Sequence, residues 1–202
     1  MFPFEEESAA RIRKLERQVR RLETLEQAAG CLTLIGDVEL TDTAAEISFL
    51  DIPQTSKHLW LWTDLINSGA AGSPSGFLRF NGDVGLNYTW MRFESATGAN
   101  HGGQGLGDTL RNEIDLRANT IGGGHHEVNI VDYTAIGKSR QVLWKGGGGF
   151  VFFAGDPGPT FEDVIVVGRG TWKNTVDAIT SLSIGAFTVF DAGSRATLYG
   201  LC

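Results

Sequence analysis

From Leu32 to Leu201 the chain is cut into short β-rich runs by Gly, Asn, Asp and Pro, and no helical periodicity returns after Gly30. Runs of β-branched and aromatic residues bounded by such turn formers read as strands. Candidate strands are Leu32–Leu40, Glu46–Ile52, Lys57–Ile66, Gly76–Asn81, Asn87–Glu94, Thr109–Leu116 and Glu127–Tyr133, then Arg140–Lys145, Phe150–Ala154, Phe161–Gly168, Ile179–Ile184, Phe187–Phe190 and Thr197–Leu201. Even spacing without alternating helices predicts an antiparallel sandwich or barrel. The expected fold class is mainly β: an antiparallel jelly-roll-like β-sandwich over residues 31–202, preceded by a short N-terminal coiled-coil helix within residues 1–30. For 202 residues, a short helix plus one domain of about 170 residues is the economical division.

The helix is read from its apolar seam. Ile12, Leu15, Val19 and Leu22 recur at spacings of three and four, a stripe too narrow for the core face of a globular helix but suited to a coiled coil. Arg11 precedes Ile12 and Glu16 follows Leu15, so each can reach an opposite charge on a neighbouring helix. Arg11 to Glu16 resembles the short trimerisation motif of parallel coiled coils, Arg-apolar-x-x-apolar-Glu, and Gln18 to Glu23 repeats it with Gln in place of Arg. Ile or Val at a with Leu at d is also the pattern of two parallel strands. The motif, and Leu25 at g widening the stripe, favour a homotrimer. Glu26 and Ala29 then occupy seam positions, and Gly30 ends the helix. Such a helix is only about 30–35 Å long, too short to hold an oligomer alone. The β body is expected to make most of the contact.

Charge and cysteine content narrow the partners. A net charge of −7, with no Lys/Arg run outside the helix, argues against nucleic acid. Cys31 and Cys202 are too few for a disulfide framework and read as free thiols made in a reducing cytoplasm, with a Cys31–Cys202 bridge left open. The start, Met-Phe-Pro-Phe-Glu-Glu-Glu, is acidic where a signal peptide is basic, and no apolar run approaches about 18 residues. No membrane insertion is expected, and a role outside the cell implies release by lysis.

No chemistry-bearing motif stands out. His125-His126-Glu127, with His101 elsewhere, is the compact group of metal-type ligands. Neighbouring strand residues point to opposite faces, so His125 and His126 cannot easily share a metal, and they read as exposed loop histidines. No metal or other cofactor is expected. Asn81-Gly82-Asp83-Val84-Gly85-Leu86-Asn87 lacks the alternating acids of a calcium loop and reads as a turn. Glu113 and Asp115 share a strand face like a loose glycosidase pair, but solvated strand positions explain them. With no nucleophile elbow either, the chain is not expected to be an enzyme. The Gly-rich stretches Ser68–Gly76, Ala96–Gly107, Ile121–Gly124 and Gly146–Gly149 read as loops and bulges. The Ala96–Gly107 and Ile121–His126 loops, with His101, His125 and His126, are candidate recognition positions. Lys57 to Trp62 is apolar on both faces, so it lies between layers or shows a face to a sister subunit. Most of the tryptophans, Trp60, Trp62, Trp90, Trp144 and Trp172, are expected to be buried.

Three segments carry a family resemblance. Ile47-Ser48-Phe49-Leu50-Asp51-Ile52-Pro53-Gln54-Thr55-Ser56-Lys57-His58-Leu59-Trp60-Leu61 is similar to a stretch of tailed-bacteriophage virion proteins of the tail-fibre and head-decoration kind, with Ser56 where they carry an aromatic. Arg79 to Tyr88 resembles their Arg-Phe-Asn-Gly-Asp-x-Gly-x-Asn-Tyr hairpin, and Gly193 to Leu201 their closing Gly-Ser-x-x-x-Leu-Tyr-Gly-apolar strand. The region around His101–His126 has no counterpart. The resemblance implies a virion structural module without catalytic residues. The function expected is a homotrimeric fibre, spike or tail-associated protein, anchored by its N-terminal helix to other virion proteins of tail or capsid and presenting its β-sandwich to a host-surface glycan or protein. A capsid decoration (cement) protein and a non-viral trimeric lectin-like binder are the alternatives.

Overall fold

A computed structural model describes residues 31–66, 76–96, 103–111, 113–116, 124–152 and 160–202, which form twelve strands and no helix among the described residues. They are β1 (Leu32–Glu39), β2 (Ala44–Phe49), β3 (His58–Leu65), β4 (Phe77–Phe80), β5 (Tyr88–Ala96), β6 (Gly103–Arg111), β7 (Ile114–Asp115), β8 (Gly124–Val131), β9 (Arg140–Phe152), β10 (Thr160–Trp172), β11 (Leu182–Phe190) and β12 (Arg195–Leu201). Every ladder is antiparallel. One sheet has eight strands in the order β1-β12-β3-β8-β9-β10-β5-β6, the other four in the order β2-β11-β4-β7. The N-terminal helix expected within residues 1–30 lies outside the described residues.

Side-chain alternation decides what each sheet buries. In β3, Leu59, Leu61, Thr63 and Leu65 point inward, and in β8 Val128 and Ile130 do so beside them. Ile47 and Phe49 of β2, Leu78 and Phe80 of β4, Ile114 of β7, and Leu182 and Ile184 of β11 come from the smaller sheet to meet them in one apolar cluster. Each such side chain contributes about 1.5–3 kcal/mol relative to exposure. At one end of this core Trp172 lies against Phe80 and Tyr88, with ring centroids 5.5 and 6.5 Å away.

The Asn81–Asn87 segment is a turn, as its composition predicts. Asn81 and Gly82 have φ of 53° and 64°, and the Asp83 N–H donates to the Phe80 carbonyl at 2.9 Å. The turn carries the chain from β4 in the smaller sheet to β5 in the larger, so the hairpin expected here does not form. The Asp83 carboxylate accepts from Gly85 N at 2.8 Å, Asn87 Nδ2 at 2.9 Å and Trp172 Nε1 at 2.7 Å. These donors hold its pKa below the usual carboxylate value against the opposing effect of burial. These contacts tie the Asp83 carboxylate into the turn and to the Trp172 indole.

Several expected boundaries are corrected. Gly146–Gly149 is no loop: β9 runs unbroken from Arg140 to Phe152, joining two segments that the sequence separates, with β8 and β10 on either side. A Cβ on Gly146 would lie 2.5 Å from His126 Cδ2, so the glycine makes room for an inward ring rather than breaking the strand. Gly103–Gly107 likewise pairs as β6 with β5, and Gly185 lies within a single β11. Thr109–Leu116 is not one strand, because the chain changes sheets between β6 and β7. Ile179 precedes β11 and still fills the core.

The outer edge of the larger sheet is β1, held by β12 alone. Arg195 grips Asp37 with Nε to Oδ1 at 2.9 Å and Nη2 to Oδ2 at 2.5 Å, and Thr197 Oγ1 donates to Oδ1 at 2.8 Å. Arg195 first, then Thr197, lowers the Asp37 pKa from 3.8 to about 2. A depressed folded-state pKa means that this contribution is complete above the unfolded value and is lost as pH falls from about 4 to about 2. Amide exchange in β1, normalised to β3, should therefore speed up across that window. In Asp37→Asn the step should be absent; a step that persists would assign it to another group.

Candidate functional site

The two sheets present different outer faces. On the smaller sheet, Glu46 and Ser48 of β2, Ser183 of β11 and Arg79 of β4, with the exposed Leu50 and Val84 at its rim, line a groove of about 250 Å³. Arg79 reaches Glu113 at 2.5 Å and lies 4.2 Å over the Phe77 ring. Arg92 binds Asp115 and lies 4.8 Å over Trp90. Glu113 and Asp115, read as solvated strand positions, are thus each engaged by an arginine.

The larger sheet is different. The register aligns its outward residues in rows: Tyr199, Trp60, Asn129, Leu143, Arg169 and Met91 form one, and Thr197, Trp62, Glu127, Lys145, Val167 and Phe93 the next. Ile165 of β10 follows, opposite Gly147 of β9. Leu143, Phe93, Val167 and Ile165 are 50%, 54%, 52% and 63% exposed, and they adjoin across β9, β10 and β5. Trp62 is also exposed, and Trp60 stacks on Tyr199 with centroids 5.3 Å apart. A single exposed aliphatic residue on a sheet is ordinary; several on adjoining strands form a patch that water leaves unfavourably solvated. A Glu127–Lys145 ion pair of 2.7 Å crosses the middle of this face.

Strand spacing gives the face a size. Eight strands at about 4.8 Å, over some seven residues at about 3.3 Å, make a surface of roughly 38 by 23 Å, about 900 Å². That is close to what one partner gives to a standard protein interface, about 800 Å². The chain enters this sheet at β1, directly after Cys31.

The residues singled out in the sequence fall into three groups. Arg11, Ile12, Leu15, Glu16, Val19, Leu22, Leu25 and His101 lie outside the described residues. His125 and His126 lie in β8, not in a loop, and on opposite faces, as strand alternation predicts. His125 is exposed in the outer row of Asp64 and Gly147. His126 is 1% exposed, with Nδ1 3.5 Å from Thr63 Oγ1. Among the described residues no group of three His, Cys, Asp or Glu converges on one point. Trp172 and Trp144 are buried and Trp60 and Trp90 partly so, leaving Trp62 as the exposed one. Sequence reasoning missed Leu143, Phe93, Val167 and Ile165. The signal was present in Val164-Ile165-Val166-Val167, which is apolar at both parities like Leu59 to Trp62.

No family model matches the chain, and no curated protein sequence is significantly similar to it. Among solved structures, a human SPRY domain is similar at a TM-score of 0.33 and 12% identity, over 81% of this chain and 96% of that one. An alginate lyase mutant in complex with an alginate tetrasaccharide is similar at a TM-score of 0.21 and 13% identity, over 83% of this chain and 72% of that one. Neither likeness is close enough to carry an argument about fold or function.

Proposed function

We propose that this chain is a non-enzymatic structural component of a tailed-bacteriophage virion, a homotrimer whose copies meet through the outer face of the eight-stranded sheet. The observation that carries the reading is the adjoining apolar set on the larger sheet: Leu143, Val167, Ile165 and Phe93 lie open on three neighbouring strands, β9, β10 and β5. The heptad seam Ile12, Leu15, Val19 and Leu22 favours identical partners and enters the fold at the edge of that same sheet. The N-terminal helix then serves as a short anchor to other virion proteins, and the faces turned away from the axis meet a host receptor or the next virion component.

Strand order supports a jelly roll as the underlying architecture. Without β5, β6, β9 and β10, the remaining strands form β1-β12-β3-β8 and β2-β11-β4-β7, the order of a double-sheet jelly roll of the kind found in viral capsid and lectin domains. The four additional strands arrive as two consecutive pairs, β5 with β6 and β9 with β10, and both pairs widen the sheet beyond β8. Leu143, Val167, Ile165 and Phe93 all belong to them, so the widening is what creates the apolar face.

Sedimentation of the full chain tests this, together with a density map of the particle. A trimer in solution, located on the virion with the large sheets inward, is the expected result. A monomer at high concentration that is also absent from particles would refute the reading. Removal of residues 1–30 separates the contributions: if the β body remains trimeric, the helix is an anchor, and if it falls to monomers, the helix is the main source of association.

A further inference from the structure

Cys31 directly precedes β1 and Cys202 directly follows β12, and the register makes them the next opposed pair after Leu32 and Leu201. The Cys202 N–H donates to the Cys31 carbonyl at 3.2 Å. Both are free thiols, Cys202 exposed and Cys31 partly so. The Cys31 thiol hydrogen-bonds that of Cys202 and, with desolvation second, raises the Cys202 pKa above its ordinary value. Opposed residues of an antiparallel pair have Cα atoms about 4.5–5.5 Å apart, inside the roughly 4.4–6.8 Å that a disulfide spans. The pairing therefore places their Cα atoms within the span of a disulfide.

We propose that Cys31 and Cys202 are a modification site, an intramolecular disulfide clasp that closes the open end of the β1–β12 ladder when the protein meets a small-molecule disulfide such as oxidised glutathione. One of the two protein thiolates attacks a sulfur of glutathione disulfide and expels a glutathione thiolate, leaving a mixed disulfide. The other then attacks the protein sulfur of that mixed disulfide and expels the second glutathione thiolate. The two protein thiols lose two protons and two electrons, and one glutathione disulfide is reduced to two thiols.

The position gives the bond a purpose. As an edge strand paired on one side only, with a register shift between Leu34 and Gly36, β1 is where the sheet would fray. Arg195 on Asp37 secures its far half, and the clasp secures the half that begins at Cys31. Any pull transmitted by residues 1–30 reaches the domain at Cys31. With the bond closed, that pull passes directly to β12, which lies between β1 and β3, instead of peeling β1 away. The inference does not depend on the virion reading.

The test treats the reduced full chain with glutathione disulfide at mildly alkaline pH. The expected product is about 2 Da lighter, runs at the mass of one chain on a non-reducing denaturing gel, and yields a linked Cys31–Cys202 peptide on digestion. Its Tm rises by about 5–15 °C, because the bond closes a long loop, and dithiothreitol reverses the rise. Cys31→Ser and Cys202→Ser each retain the Tm of the reduced protein and stop at a glutathione adduct or the free thiol. A gel dominated by cross-linked dimers, or a wild-type chain that accumulates glutathione adducts without ring closure, overturns the proposal.

Discussion

Leu143→Glu with Val167→Glu is expected to convert the assembled protein into folded monomers. Both side chains are half-exposed in the single chain, so the cost to the fold is of the order of 0.5 kcal/mol each. The register reduces it further, since residue 143 faces Arg169 and residue 167 faces Lys145 across the ladder, and opposite charges directly across strands are favourable. Inside a subunit interface the same carboxylates, even with these cations opposite, replace apolar contacts by charge that must be stripped of water, at several kcal/mol per ion, enough to weaken association more than a hundredfold. Sedimentation gives the oligomeric state and circular dichroism the fold. Val176→Glu, at an exposed position outside the strands, is the control and should leave the assembly intact. A double variant that stays trimeric moves the interface to another surface.

Gly168→Ala should be a strongly damaging substitution in the larger sheet, because the new methyl meets a ring that cannot move. A Cβ there would lie 2.2 Å from Trp144 Cζ2 and 2.3 Å from Cε2. Trp144 is buried and part of the common core, so the ring cannot swing into solvent. Overpacking of this kind costs about 1–3 kcal/mol or more, which for a chain of this size lowers Tm by several degrees. The second substitution Trp144→Phe should recover part of the loss, because it removes the outer ring that the new methyl strikes and sacrifices no hydrogen bond, the Trp144 Nε1 having no acceptor. Two destabilisations that simply add would show that Gly168 serves the strand in some other way.

These positions also show what could be read from the sequence and what could not. Leu59, Leu61 and Leu65 announce a strand with a buried face, and the structure buries them. Asn81-Gly82 announces a turn, and the backbone takes the dihedrals it predicts. Adjacent His125 and His126 point to opposite faces for the reason that alternation supplies. Gly146–Gly149 misled because glycine has two uses that look alike in sequence. It allows a turn, and it allows a neighbouring side chain to cross a strand. Only the pairing of β8 with β9, which brings His126 over Gly146, separates them. The apolar outer face was half legible, visible at Leu59 to Trp62 and overlooked at Val164 to Val167. Which of the two apolar parities faces outward depends on long-range register, and local pattern does not hold that information.

The pairing of β1 with β12 also sets an order of events during synthesis. Asp37 and Arg195, which bridge that ladder, are 158 residues apart in the chain. At about 5–20 residues per second, β1 leaves the ribosome roughly 10–30 s before its partner. Throughout that interval β3 lacks its neighbour as well, since β12 inserts between the two. If nascent chains already associate through their first thirty residues, each β1 waits beside its sisters and can receive a β12 from another chain. Exchange of the edge strand between copies is therefore the characteristic assembly error of this topology, and slow release at low chain density is the condition that suppresses it.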